Sequence, residues 1–300
     1  MLSLQTRFDP AYGKAVPAGD GVLRVTARNP GPFTFHGTNS YVVGDARCFV
    51  VDPGPDQPEH VDALAAAVNG RPVDAILLTH THRDHTGLVA KMQAEIDAPV
   101  IGGGPHRPAR PMHADEAGRL EASADTAIAF DRVLDDGEAL TLGNVPVTAI
   151  ATPGHCANHF AFAIGRDGLL LSGDHVMAWS TTVVAPPDGS MQDYMRSLDR
   201  LLAREDTAYL PGHGGPVERP ADFVRGLIAH RRAREAAIMA RLAAGDRTIP
   251  PIVDALYRDV DPRLHAAAGL SVLAHLEDLV ARGLVATDGV ASLSGSYAPA

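Results

Sequence analysis

The sequence predicts an α/β sandwich followed by a small helical unit, and three observations predict it. Short apolar runs suited to buried strands alternate with segments of helical periodicity over roughly the first two-thirds of the chain. Several of those runs end on a glycine beside a histidine or an aspartate. After about residue 218 the pattern changes to helices and a closing hairpin signal. Three hundred residues exceed one typical domain, so the expected units are 1–218 and 219–300.

Taken in order, residues 1–21 are rich in Pro, Gly and Ala and read as an irregular lead-in. Residues 22–27 alternate like a strand, and 41–44 with 48–52 read as a hairpin turning at 44–47. Between them, 29–40 is a long loop of turn formers carrying Phe33 and Phe35. Val61, Leu64, Ala65 and Val68 share one helical face, stopped at Asn69-Gly70. Residues 74–79 form a short buried strand, 88–96 a helix, and 98–101 a further strand. Residues 102–113 are a loop with Arg107 and Arg110, which could hold an anionic substrate or remain solvated.

Strand-like runs fill 133–150, and 160–164 with 169–172 flank a turn at 165–168. Ser190 and Asp193 open a helix that buries Tyr194, Leu198 and Leu201, and 208–210 is the last strand of the first unit. In the second unit, helices are expected over 223–244, 250–260 and 270–282, then a hairpin of 284–287 with 290–293. This order resembles a small winged-helix domain. Its expected recognition helix carries Glu277 and Asp278 with only Arg282 near its end, so it would repel phosphate, and DNA is not an expected partner.

Composition narrows the function classes. A formal net charge of −10 argues against a general nucleic-acid binder. Cys48 and Cys156 have no metal-site spacing and give at most one bridge, which points to a reducing cytoplasm. The start lacks a basic leader with an apolar core, and no apolar run reaches membrane-spanning length, so neither export nor a membrane partner is expected.

The chemistry is concentrated in His80, His82, Asp84 and His85, three imidazoles and one carboxylate within six residues. They lie on a loop between a strand and a helix. His80 and His82, two apart in extended chain, can face one ion, whereas Asp84 and His85 come after the turn and can face a second. A solvated histidine cluster without an ion is the plain alternative. A metal site needs further ligands, and matching residues recur at other strand ends: Gly154-His155, Gly173-Asp174 and Gly212-His213. His175 points away from Asp174 in extended chain and is not counted.

This series, His-x-His-x-Asp-His followed by Gly-His, Gly-Asp and Gly-His, resembles the metallo-β-lactamase-fold hydrolase superfamily over roughly residues 20–215. The resemblance implies an αββα sandwich and a binuclear centre, with His80, His82 and His155 on one ion, Asp84, His85 and His213 on the other, and Asp174 bridging. Asp52, in an Asp-Pro-Gly element, is expected to orient a ligand rather than to be one. Imidazole and carboxylate without thiolate suit zinc, with manganese or iron as alternatives. Having His82 where oxygen-reducing di-iron relatives place a glutamate favours hydrolysis.

The nucleophile would be a metal-bridging hydroxide, with Asp84 accepting a proton and His159 a candidate donor to a substrate oxygen. Asn158 stands where many relatives carry Ser or Asp. Residues 230–235, 274–276, and 29–33 with 37–41 further resemble the lactamase-β-2 branch, whose animal members are endoribonucleases of single-stranded RNA. The leading expectation is therefore a cytoplasmic dimetal hydrolase of single-stranded RNA, with Arg107, Arg110, Arg225, Arg231, Arg232 and Arg234 as a phosphate track. A hydrolase of small esters, thioesters or lactones is the alternative, and a non-catalytic metal-bearing binding protein is a third. A homodimer is left open.

Overall fold

A computed structural model of the chain describes residues 2–113, 116, 123–165 and 167–300. Seven strands form the first sheet in chain order: β1 (Ala15–Gly19), β2 (Val22–Thr26), β3 (Asn39–Val43), β4 (Cys48–Val51), β5 (Val73–Leu78), β6 (Val100–Gly102) and β7 (Arg132–Val133). Five more, β8 (Ala139–Leu142), β9 (Val145–Ala151), β10 (Phe160–Ile164), β11 (Leu169–Gly173) and β12 (Ala208–Pro211), form the second in the order β12-β11-β10-β9-β8. The turn from β10 to β11 delivers Asp174 as expected, although Arg166 within it lies outside the described residues.

The period of two along a strand explains why the central strands read as unbroken apolar runs. Phe49 and Val51 of β4, with Ala75 and Leu77 of β5, face the second sheet and meet Phe160, Phe162, Leu171 and Leu210. The intervening Cys48 and Val50 face the opposite way, onto α1 (Pro58–Val68). Ile76 and Leu78 pack on α3 (Val89–Ile96), which follows the one-turn helix α2 (Arg83–Thr86). On the far side, Ile150, Ala161, Leu170 and Tyr209 carry α4 (Met191–Leu202) and the first half of α5 (Pro220–Ala243). Two sheets between two helical layers make an αββα sandwich. Ser190 caps α4 by accepting from the Asp193 N–H at 3.2 Å, and α1 ends with Asn69 in the left-handed region.

The C-terminal unit is α6 (Ile249–Leu256), a 3₁₀ turn (Pro262–Leu264), α7 (His265–Ala281), β13 (Val285–Thr287) and β14 (Tyr297–Pro299). The long helix α5 serves both units. Val224, Leu227 and Ile228 belong to the core around α4, whereas Ile238 and Leu242 belong to the core of α6 and α7.

Three expectations are corrected. The irregular lead-in contains β1, which pairs antiparallel with β2; its Pro and Gly content suits an edge strand, where a missing N–H costs nothing. The closing hairpin pairs β13 with β14, not with 290–293. Val290 is 65% exposed, whereas Tyr297 buries its ring in the C-terminal core and bonds the Ser292 backbone through its hydroxyl. Finally, Pro262–Ala281 has the length and mean hydropathy of a membrane span. Its Val272, Leu273, Leu276 and Leu279 are fully buried in the C-terminal core. The two cysteines are free and buried.

Candidate metal centre and its cleft

The carboxyl ends of β4, β5, β9, β11 and β12 meet at one edge of the sandwich, and each delivers a polar residue there. The β5 end carries His80, His82, Asp84 and His85; the β9, β11 and β12 ends carry His155, Asp174 and His213; the β4 end carries Asp52. His80 Nε2 and His155 Nε2 lie 3.1 Å and 3.0 Å from His82 Nδ1. Beside this trio, Asp84 Oδ2 lies 3.4 Å from His85 Nε2 and 3.3 Å from His213 Nε2. Asp174 sits between the groups, 3.5 Å from His85, 3.2 Å from His213 and 3.8 Å from His155. All seven expected ligand residues are thus brought together.

For four of the five rings, the bond on the outer nitrogen leaves the inner one free to face a cation. His85 Nδ1 donates to Asp52 Oδ2 at 3.0 Å, His155 Nδ1 to the Val183 carbonyl at 2.7 Å, and His213 Nδ1 to the Gly37 carbonyl at 3.1 Å. His80 Nδ1 donates to Thr79 Oγ1 at 3.0 Å, and that hydroxyl passes its own proton to Asp52 Oδ2 at 2.6 Å. With the outer nitrogens protonated, the inner ones present lone pairs. Lone pairs converging to 3.0–3.1 Å repel unless a positive charge lies between them. Tetrahedral bonds of about 2.0–2.1 Å would hold nitrogens roughly 3.3 Å apart, so the spacing fits a metal ion. Of the inward-facing atoms, buried His85 Nε2 and Asp174 Oδ1 have no hydrogen-bond partner among the described residues, and on the outer side neither has His82 Nε2.

Without an ion the charges polarise one another. Burial pushes the His80 imidazole well below its ordinary value, with His85 and His82 adding to the effect. Burial and His82 lower His155 to about 4. Burial would also lower His213, but Asp174 and Asp84 outweigh it and raise His213 to about 10. Asp84 moves the other way: burial opposes ionisation, yet His85 and His213 hold its carboxyl well below the usual range.

Two glycines make the geometry attainable. A Cβ on Gly212 would lie 2.4 Å from Asp174 Oδ1 and 2.7 Å from His85 Cε1. Gly37, at φ +143°, would place a Cβ 1.8 Å from the Ala27 carbonyl. Only a residue lacking Cβ lets these loops close on the site.

Asp52 acts as expected. Its oxygens are taken by the Thr79 N–H at 2.8 Å, the Thr79 hydroxyl and His85, so it orients rather than ligates. His159 does not act as expected. It is fully buried, its Nδ1 bonds Thr152 Oγ1 at 2.8 Å, and its Nε2 accepts the Asp174 N–H at 3.1 Å. It holds the Asp174 backbone from below and cannot reach a substrate. The arginine track is not assembled either: of its six members only Arg232 is exposed without a side-chain partner among the described residues. Arg107 bonds the Gly103 and Ala157 carbonyls, Arg110 pairs with Glu116 and Glu277, Arg225 with Asp222, Arg231 bonds the Thr182 carbonyl, and Arg234 lies over Tyr257.

Residues 33–213 match the Metallo-beta-lactamase superfamily, and 248–291 match the Beta-lactamase associated winged helix domain. The chain belongs to the metallo-β-lactamase superfamily. Among curated relatives, the Beta-lactamase-like protein 2 homolog of Caenorhabditis elegans is 31% identical over 272 residues, spanning 89% of this chain and 86% of its own length. A solved Beta-lactamase domain protein from Burkholderia ambifaria superposes with TM-score 0.80 at 25% identity, covering 97% of this chain and 95% of its own. A further structure, solved in a di-iron-bound form, matches with TM-score 0.51 at 30% identity, covering 69% of this chain and 96% of its own. Members of the superfamily bind divalent metals, and the His/Asp clusters of this chain are candidates for the same use.

Sequence reasoning missed the residues around the ligands. Thr38 donates its hydroxyl to Asp84 Oδ2 at 2.9 Å and is itself gripped by Asn29. Asp188 faces His82 Nε2 at 3.8 Å and accepts from His106 Nε2 at 3.0 Å, while His106 bonds Thr81. The Pro-Pro-Asp-Gly run at 186–189 announces a turn, but nothing local announces that the turn reaches His82.

A cleft of about 440 Å³ opens above these candidate ligands. Its walls are Phe33, Met177, Val183 and Ala185, its floor includes His82, Asp84, Asp174 and His213, and Arg83 is the one cationic lysine or arginine among the described lining residues.

Proposed function

We propose that this protein is a binuclear metal-dependent hydrolase of small acyl substrates, with thioesters first and esters and lactones in the same class. The observation that carries the reading is the apolar wall of Phe33, Met177, Val183 and Ala185 above a floor of ligand-type side chains. An RNA substrate needs a line of free cations for its phosphates. Five of the six arginines that would supply it are committed to carbonyls, carboxylates and a ring, and exposed Arg232 alone makes no line, so single-stranded RNA becomes the second reading. The likeness to the lactamase-β-2 branch is its support.

In this reading His80, His82 and His155 hold one ion, Asp84, His85 and His213 hold the other, and Asp174 serves both. Zinc suits the donor set, and the relative solved with two irons keeps iron in view. Bound there, two divalent ions would acidify a water and polarise the substrate carbonyl. The chain does the rest. Thr38, Asp52, Gly37 and Val183 fix the ligand side chains, so little reorganisation accompanies reaction. Asp84, whose side chain is 28% exposed, is the ligand carboxylate most open to the cleft and receives the proton released by the attacking water. The apolar wall takes the acyl chain and excludes bulk water.

A leaving thiolate, with an ordinary pKa of about 8.5, needs no acid to protonate it. This suits a cleft from which His159 is withdrawn. The division at 218/219 is kept, with α5 shared by both units, and a cytoplasmic location with no DNA or membrane partner is part of the same reading. The test is to incubate metal-loaded protein, His82→Ala and Asp84→Asn with acyl thioesters, aryl esters, lactones and labelled single-stranded RNA. Thioester or ester turnover that both substitutions abolish supports the reading. RNA cleavage abolished by the same substitutions, at higher kcat/KM, overturns it; no turnover of any substrate returns the binding-protein alternative.

A further inference from the structure

We propose that Arg231, on the helix that links the two units, is a positioning residue for the metal centre. The inference rests on the reading of that centre as a metal site, and it assigns the helix shared by the two units a part in building it.

The path is short and consists of hydrogen bonds. Residues 174–190 contain no strand or helix, so no sheet ladder holds them in place. Within them, Thr182 and Val183 clasp the site from two sides. The Thr182 hydroxyl contacts the backbone carbonyls of Asp174 at 2.8 Å and His175 at 2.9 Å, gripping the chain that bears the shared carboxylate. The next carbonyl, that of Val183, receives His155 Nδ1–H at 2.7 Å and so turns the His155 Nε2 lone pair toward His82.

Thr182 is itself held by its carbonyl oxygen, which accepts from Arg231 Nη2. The guanidinium arrives from α5, is only 4% exposed, and lies 5.1 Å from the centroid of the Tyr194 ring. Tyr194 in turn donates its hydroxyl to the His175 carbonyl at 3.2 Å.

Two features distinguish this from ordinary packing. A buried guanidinium is costly to desolvate, and Arg231 has a carbonyl and an aromatic face here, with no carboxylate among its hydrogen-bond or cation–π partners in the described residues. An apolar side chain would fill the space at lower cost. The bond also ends on the one loop that fixes both His155 and Asp174. Removing it frees the Thr182 carbonyl and lets this part of the loop relax away from the candidate ligands, while Val176, Ala178 and Val184 keep its flanks in the core around α4.

The test measures metal binding by competition with a chromophoric chelator, and the absorption spectrum of the Co2+-substituted protein, on full-length chains whose metal-free circular dichroism matches the wild type. Arg231→Met keeps an apolar stem on Tyr194 and removes the donor; Thr182→Val keeps the shape and removes the hydroxyl clasp. Each is expected to weaken binding of at least one ion about tenfold to a hundredfold, the range for groups that orient ligands, and to shift the Co2+ bands. Arg231→Lys, a cation with a single prong, restores part of the affinity, and Arg232→Ala, at an exposed neighbour, leaves it unchanged. Wild-type affinity and spectra in both Arg231→Met and Thr182→Val overturn the inference. If Arg231→Met does not fold, Thr182→Val decides. Failure of the wild-type protein to take up metal overturns the reading of the centre, and this inference with it.

Discussion

Asp52 and His85 lie 3.0 Å apart, Oδ2 to Nδ1, and the same carboxylate also accepts the hydroxyl and the backbone N–H of Thr79. One buried side chain therefore fixes Thr79, the residue just after β5, and one ring of the candidate metal centre together. Asp52→Asn retains an acceptor for the Thr79 N–H but loses the charge that holds His85. It is expected to lower metal affinity about tenfold to a hundredfold, measured by chelator competition, with a smaller loss in thermal stability. Asp52→Ala leaves the Thr79 donors buried without a partner and costs roughly 1–3 kcal/mol more in a denaturant melt.

Phe33 is 52% exposed at the mouth of the cleft and Met177 is buried in its wall. Phe33→Ala and Met177→Ala remove apolar contact with an acyl chain without touching a ligand. With long-chain acyl thioesters, KM should rise about fourfold to fifteenfold, the equivalent of one or two buried methylenes, while kcat changes little. With acetyl substrates neither parameter should move. Equal losses across chain lengths would contradict an acyl-binding wall.

The metal-free protein should lose stability on acidification. Burial lowers His60 to about 4, with partial compensation from the Pro53 carbonyl, and lowers His175 and His275 to about 3, with positive neighbours adding to the effect. The native state keeps these rings neutral, whereas the unfolded chain takes protons near pH 6.5. The unfolded state thus binds more protons in this window, so stability is present above pH 6.5 and lost as pH falls toward 4. Each ring contributes a slope of up to about 1.4 kcal/mol per pH unit. Melting of chelated protein at pH 7 and pH 5 measures the loss, and His60→Gln should reduce it.

At the alkaline side the sign reverses. His213, raised to about 10 in the metal-free state by Asp174 and Asp84 against the effect of burial, stabilises below pH 6.5 and loses that contribution as pH rises through 10. The melting temperature of chelated protein should therefore peak between these limits. His213→Gln removes the alkaline fall, which separates this group from the tyrosines.

Arg110 joins Glu116, whose side chain is 3% exposed, at 2.7 Å and Glu277 of α7 at 2.6 Å. The residue expected to hold a substrate anion instead ties the 102–113 loop to the C-terminal unit. Arg110→Met should cost about 2–3 kcal/mol by leaving two partly buried carboxylates unpaired, and Glu277→Gln should recover part of it in a double-mutant cycle. Neither change should alter kcat on small acyl substrates.

The sequence by itself showed the seven candidate residues, because a dense His/Asp run and a glycine beside a histidine or aspartate at the end of an apolar run are local patterns; their reading as ligands of two ions came from the family resemblance. The sequence also determined the layer order, because strands buried on both faces read as continuous apolar segments between amphipathic helices. The orienting role of Asp52 came from its place in an Asp-Pro-Gly element and a family resemblance. Tertiary structure decided what depends on distant partners. The Pro-rich lead-in becomes an edge strand because β2 offers it a ladder, and the wing closes on Tyr297 because that ring fills the C-terminal core. Charge and residue type place His159 near a reaction and Arg110 and Arg231 near a phosphate; the fold instead gives each a buried acceptor or donor elsewhere. A polar side chain's role is set by the partner it finds across the molecule, and local sequence does not carry that distance.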